Sequence, residues 1–190
     1  WTPFRSSNEN LGSLGHLMTR IAVLGLPDAG LQFAVALQAC GAEVKGFDPA
    51  AQQFAPIELA SSVEETVSGA EVVFSFSTPQ NAFALASQSA PLLKAEALYV
   101  DMGPGTPAHK QELGDVFPTG SFLDGTLNGS TLEISGQKAH RLGEVLENLG
   151  VSIVVVGAAV GDVAKRALLR TLMRNGLAEV LTDTLWAAES

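Results

Sequence analysis

Three features of this 190-residue sequence combine residue types and spacing that can do chemistry. The first is Gly25-Leu26-Pro27-Asp28-Ala29-Gly30, which follows the apolar run Ile21–Leu24 and opens a helical pattern. In a G-x-G-x-x-G turn between strand and helix, backbone amides and the helix N-terminus take up a pyrophosphate. Gly25 and Gly30 hold the first and third glycine positions. Pro27 holds the second, where its ring stands in the way of the phosphate and its nitrogen carries no hydrogen. Asp28 can cap the helix, and it also repels an anion. The turn therefore reads two ways, as a weakened phosphate site or as a structural turn capped by Asp28. The second feature is Asp48, 23 positions after Gly25, near the spacing at which a carboxylate accepts the hydroxyls of an adenosine ribose. No Lys or Arg follows it through Gln52, so a bound dinucleotide is expected to be NAD in preference to NADP; otherwise Asp48 is a solvated strand-end carboxylate. The third feature is Lys165. On a helical wheel it falls within 60° of Leu168, Leu169, Leu172, Gly176 and Val180, so it either snorkels at the edge of an apolar face or points into a cleft.

These residues need a scaffold, and the hydrophobic pattern supplies one. Short β-type runs are expected at Arg20–Gly25, Glu43–Asp48, Glu71–Phe76, Leu98–Met102, Ser121–Leu127, Leu132–Ser135 and Val151–Val156. Helices are expected at Gly30–Cys40, Val63–Gly69, Gln80–Leu93 with a break at Pro91, and Gln137–Leu149. Strands alternating with helices imply right-handed crossovers and a mainly parallel, doubly wound α/β sheet. Residues 1–19 read as a leader outside the fold: the first 17 have no period, and Met18-Thr-Arg resembles a native start. Residues 20–156 then form a dinucleotide-binding domain. From Gly161 to Ser190 the pattern is one long helix, and a helix of that length needs something to cover its apolar stripe. A partner subunit or further chain would do so.

From Ile21 to Glu189 the sequence resembles the β-hydroxyacid dehydrogenases, the superfamily of 3-hydroxyisobutyrate and 6-phosphogluconate dehydrogenases. Gly25–Gly30 is similar to that family's GLGxMG turn. Ser77-Thr78-Pro79 is similar to its loop beside the nicotinamide, and Val100–Pro107 to its D-x-S-T-x-x-P segment. Phe122–Gly129 is similar to its F-x-D-A-P-V-S-G substrate loop, and Gly161–Lys165 to the G-x-x-A-K that carries the catalytic lysine. The resemblance implies a Rossmann-type domain whose long helix, residues 157–190, opens an all-α C-terminal domain. It implies cofactor contacts from Gly25 to Gly30, Asp48 and Ser77 to Pro79, substrate contacts from Gly103, Asn128 and Gly129, and Lys165 as proton donor or acceptor. The departures are Pro27, Gly103 and Pro104 for the Ser-Thr pair, Asn128 for the loop serine, and Leu168-Leu169 for an Asn-Asn pair. In the register of a phosphogluconate-dehydrogenase-like branch, the lysine column falls on Ala167 instead.

Composition narrows the partners. With 11 basic residues against 20 acidic ones, a net charge of −9 argues against nucleic acid and anionic membrane surfaces. No apolar run is long enough to span a bilayer. One cysteine and three scattered histidines make no metal site. His109 and His140 are read, with Lys110 and Arg141, onto solvated helix faces. The expectation is a cytoplasmic NAD(P)-dependent oxidoreductase that passes a hydride between nicotinamide and a small hydroxy acid, and dimerises through its C-terminal helix. The alternative is a non-catalytic Rossmann module that binds a nucleotide, or nothing, and acts through dimerisation.

Overall fold

The computed structural model describes residues 18–26, 28–50 and 57–189. The leader up to residue 17, Pro27 and Ser190 lie outside the described residues. Along the chain run β1 (Arg20–Leu24), α1 (Asp28–Ala39), β2 (Glu43–Phe47), β3 (Glu58–Leu59), α2 (Val63–Val67), β4 (Val72–Ser75) and α3 (Pro79–Ser89). There follow β5 (Leu98–Asp101), α4 (Pro107–Gly114), β6 (Phe122–Asn128), β7 (Thr131–Ser135), α5 (Ala139–Glu147), β8 (Ser152–Gly157) and α6 (Asp162–Glu189). The strands form one sheet in the order β3-β2-β1-β4-β5-β6-β7-β8. The first six are parallel, β7 turns back antiparallel to β6, and β8 pairs parallel with β7. This is the doubly wound, Rossmann-type sheet that the strand-helix alternation predicts, ending in a long helix.

Helices cover both faces, which is why strand residues of both parities are apolar. Ile21 and Val23 join Phe33 and Leu37 of α1 and Leu142 and Leu146 of α5 in one core. Ala22 and Leu24, pointing the other way, join Val63, Ala82 and Leu113 of α2, α3 and α4 in a second. Phe33 meets Phe74 edge to face at 4.8 Å, a geometry that adds to simple burial.

Two elements are missing from the runs that the hydrophobic pattern predicts. The two-residue β3 is too short to show a period. Helix α4 is polar, but it had a signal: Thr106 caps it by accepting the His109 N–H at 3.2 Å, and Pro107 sits in its first turn. That helix also overturns a placement. Lys110 is not on a solvated face but buried at 1% exposure, whereas His140 is exposed as expected. Among the described residues no helix is long and apolar enough to cross a membrane, and no group of ligand-type side chains is arranged to hold a metal.

Candidate functional site

The sheet order reverses between β1 and β4, and in such folds ligands bind outside the carboxyl ends of the strands at that point. Gly25 leaves β1 there with a φ of +81°, and a Cβ on it would stand 2.7 Å from the Phe76 carbonyl oxygen. A Cβ on Gly30 would overlap the Gly25 carbonyl oxygen. Both glycines are therefore required by how closely α1 and β4 approach the turn, whatever the turn binds. Leu26 is buried, while Asp28 and Ala29 are exposed at the start of α1.

Asp48 is joined to this turn. One carboxylate oxygen accepts the Leu26 N–H at 2.8 Å, and the other accepts the Ala50 N–H at 2.8 Å. Each carboxylate oxygen can accept a further bond, so a ribose hydroxyl remains within its capacity. Beside it lies a cavity of about 490 Å³ lined by Gly25, Phe47, Pro49, Ser62, Ser77 and Asn81 among others. Among the described residues none that lines it is charged. Ser77 is buried and accepts a hydrogen bond from the Ser75 hydroxyl at 3.3 Å, whereas Thr78 and Pro79 are exposed at the start of α3.

A second cavity, of about 290 Å³, lies between the β5–α4 loop, β6 and α6. Gly103, Lys110, Asp124, Thr126, Ala167 and Thr171 are among its walls. A Cβ on Gly103 would overlap the carbonyl oxygen of Ser77, so the loops after β4 and β5, which give one wall residue to each cavity, are in backbone contact. Asn128 stands outside the second cavity, donating its side-chain amide to Glu133 Oε1 at 3.1 Å. Gly129 is in the exposed turn between β6 and β7. Glu133, buried in β7, also receives Arg170 of α6. Burial alone would raise its carboxyl, but the bonds from Arg170 and Asn128 hold it below the ordinary glutamate range.

Lys165 is exposed and does not line the second cavity; Ala164 and Ala167 of the same helix do. The cavity's ionisable wall residues are Lys110 and Asp124, which sequence reasoning did not single out. Both are nearly inaccessible, and with Asp101 they form a buried cluster. Burial pushes the Asp124 carboxyl up, against the opposing pull of Lys110 and of the Ala164 N–H. The sequence signal for the two aspartates lay in the strand-end motifs around Asp101 and Asp124; for Lys110 there was none.

No family model matches the chain. An uncharacterized 28.5 kDa protein of Methanothermus fervidus is 26% identical over 137 residues, 70% of this chain and 53% of that protein, so the chain spans about half the length of this curated relative. A conserved hypothetical protein from Sinorhizobium meliloti superposes with a TM-score of 0.81 at 25% identity, over 92% of this chain and 66% of that one. The conserved protein MTH1747, whose structure was described as similar to 3-hydroxyacid dehydrogenases, superposes with a TM-score of 0.79 at 24% identity. That match covers 90% of this chain and 70% of MTH1747. The fold of the chain is thus the N-terminal fold of the hydroxyacid dehydrogenases.

Proposed function

We propose that the chain, with its hydroxyacid-dehydrogenase fold, is the cofactor-binding part of an NAD(P)-dependent oxidoreductase acting on a small hydroxy acid or a related substrate. One observation carries this reading: both cavities lie on the carboxyl side of the parallel strands, and Ser77 in the wall of one is in backbone contact with Gly103 in the wall of the other. A dinucleotide in the larger cavity would bring its reactive end to that contact, next to a substrate in the smaller one. A bound nicotinamide would supply the hydride acceptor or donor, leaving the protein to orient both partners and handle a proton.

In this reading Gly25, Leu26, Ala29 and Gly30 hold the pyrophosphate, and Asp48 accepts the ribose hydroxyls. Ser77 borders the nicotinamide, with Thr78 and Pro79 fixing the start of α3. Gly103 and Thr126 border the substrate. Asn128 and Gly129 take part through the hairpin they terminate, and Lys165 through whatever covers α6. We take that cover to be a second copy of the chain. Pro27 and Asp28 make the phosphate contact weaker than an all-glycine turn would. The exposed position of Lys165 favours a second reading, a module that binds the dinucleotide without catalysing hydride transfer.

Cofactor choice follows from charge. Among the described residues the walls of the larger cavity bring no cation to a 2′-phosphate, and Asp48 repels one. NADH is therefore expected to bind at least about tenfold more tightly than NADPH, a difference of roughly 1.4 kcal/mol. Titration of the intact chain by nicotinamide fluorescence checks this. If neither nucleotide binds, the oxidoreductase reading fails; if NADPH binds better, Asp48 is not at the ribose. Binding with no turnover across a panel of hydroxy and keto acids selects the second reading.

A further inference from the structure

The Lys110 ammonium has three hydrogens and four acceptors within 3.2 Å. These are Asp101 Oδ2 at 2.6 Å, the Gly103 carbonyl at 2.7 Å, and the Asp101 carbonyl and Asp124 Oδ1 at 3.2 Å each. No donor is left over for a ligand, so although Lys110 borders the smaller cavity it does not act by binding substrate. Its partners reach further. The other oxygen of Asp124 accepts the Ala164 N–H at 2.8 Å, and Ser135 Oγ accepts the Val163 N–H at 3.1 Å. Those two amides belong to the first turn of α6, where the helix dipole leaves positive charge unsatisfied.

We propose that Lys110 is a positioning residue: through Asp124 it seats the first turn of α6 on the sheet and so fixes the wall of the smaller cavity. The electrostatics explain why a lysine is needed. Asp101 and Asp124 place two carboxylates in one buried site, and one ammonium offsets only one of them. The N-terminus of α6 offsets the other, so helix and lysine share the task of keeping both carboxylates buried. Without the lysine, the helix turn faces two mutually repelling charges. The charged groups that act on Asp124 are Lys110 of α4 and Asp101 of β5, beside the Ala164 amide of α6. Glu133 of β7 is bonded to Arg170, and Asp162 of α6 accepts the Ala159 N–H at 3.3 Å. This inference stands apart from the oxidoreductase reading, since it requires no cofactor.

The sign of the pH effect follows. In Lys110→Met, Asp124 holds a proton at low pH and the site is neutral enough to stay closed. As pH rises through the raised pKa, ionisation next to Asp101 expels the helix turn. Amide hydrogen exchange of the full chain, corrected for intrinsic base catalysis, reads this at Val163 and Ala164. Their protection in Lys110→Met should fall by up to about tenfold per pH unit between the ordinary aspartate range and the raised pKa and level off above it, the fall reaching higher pH than in the parent, while the β1 and β4 amides change little. The double variant Lys110→Met/Asp124→Asn should regain flat protection, because the uncharged amide introduced there can donate its N–H to Asp101 while its oxygen accepts from the Ala164 N–H. A role in packing alone would show neither the pH slope nor the rescue. A parent-like pH profile of protection in Lys110→Met overturns the proposal, as does a double variant that fails to recover. If Lys110→Met does not fold, recovery of folding in the double variant supports the proposal and its absence overturns it.

Discussion

Replacing Gly30 with alanine should cost about 1–3 kcal/mol of stability, the usual range for overpacking a core, and should lower dinucleotide affinity more than tenfold. Helix propensity predicts the opposite sign, since alanine is favoured over glycine in a helix by roughly 1 kcal/mol. The loss arises because the new methyl would overlap the Gly25 carbonyl oxygen and stand 3.3 Å from the Phe76 Cβ. A backbone carbonyl cannot rotate aside, so α1 must move outward. That motion carries Phe33, Ala34 and Leu37, all fully buried, away from β1 and β4. It also widens the turn where a pyrophosphate would lie. Gly143→Ala is the control: it lies in α5 with nothing within 4 Å of the new methyl. It should gain about 0.5–1 kcal/mol. Urea unfolding of the two variants against the parent decides the matter. Equal or greater stability of Gly30→Ala would mean the turn has slack that its geometry does not suggest.

The contrast between these two glycines bears on what a sequence can disclose. Gly30 was legible because a strand, a turn and a helix follow one another locally, and the glycine spacing is set within six residues. The core strands were legible for a similar reason, since burial on both faces turns them into continuous apolar runs such as Ile21–Leu24. Asp48 also stood out by spacing alone, though its bond to the Leu26 N–H depends on β1 and β2 lying side by side. Lys110 was illegible. Its helix is polar, and its carboxylate partners come from two different strands, so only the assembled sheet turns a lysine expected in solvent into the centre of a buried cluster. Gly103 has the same character. Its lack of a side chain reads as a departure from the D-x-S-T pattern, yet the fold makes it the point where the loops after β4 and β5 touch. Local pattern disclosed the half of the site that lies on β1, the following turn and β2. The half assembled from β5, α4, β6 and α6 depends on contacts between elements that no spacing encodes.

Sedimentation of the chain should give a dimer, and the interface should be α6. Only its beginning is held by the sheet: Val163 and Ala164 are buried, while Leu168, Leu169, Leu172, Met173, Leu177, Val180, Leu181 and Trp186 are 48–79% exposed. Fully burying a large apolar side chain is worth about 1.5–3 kcal/mol, so eight such residues left in water represent a large unrealised gain. Exposed apolar areas of this extent mark an interface. A second copy is the occupant we propose, because two long helices offering the same stripe can cover one another about a two-fold axis, each residue serving both sides. The arrangement would also place new groups over the exposed side of α6, where Lys165 now faces solvent. Leu172 and Val180 lie within 80° of each other on the helical wheel, two turns apart, so glutamates at both would bring like charges together across any symmetric pairing. Leu172→Glu/Val180→Glu should therefore raise the dimer dissociation constant by more than roughly a hundredfold. It should leave thermal unfolding of the sheet domain close to that of the parent monomer, because neither residue touches its core. A parent chain that sediments at its 19.7 kDa monomer mass at tens of micromolar would remove the second copy as the cover of α6. Any part for Lys165 in proton transfer would then need some other cover over α6 to bring substrate to it.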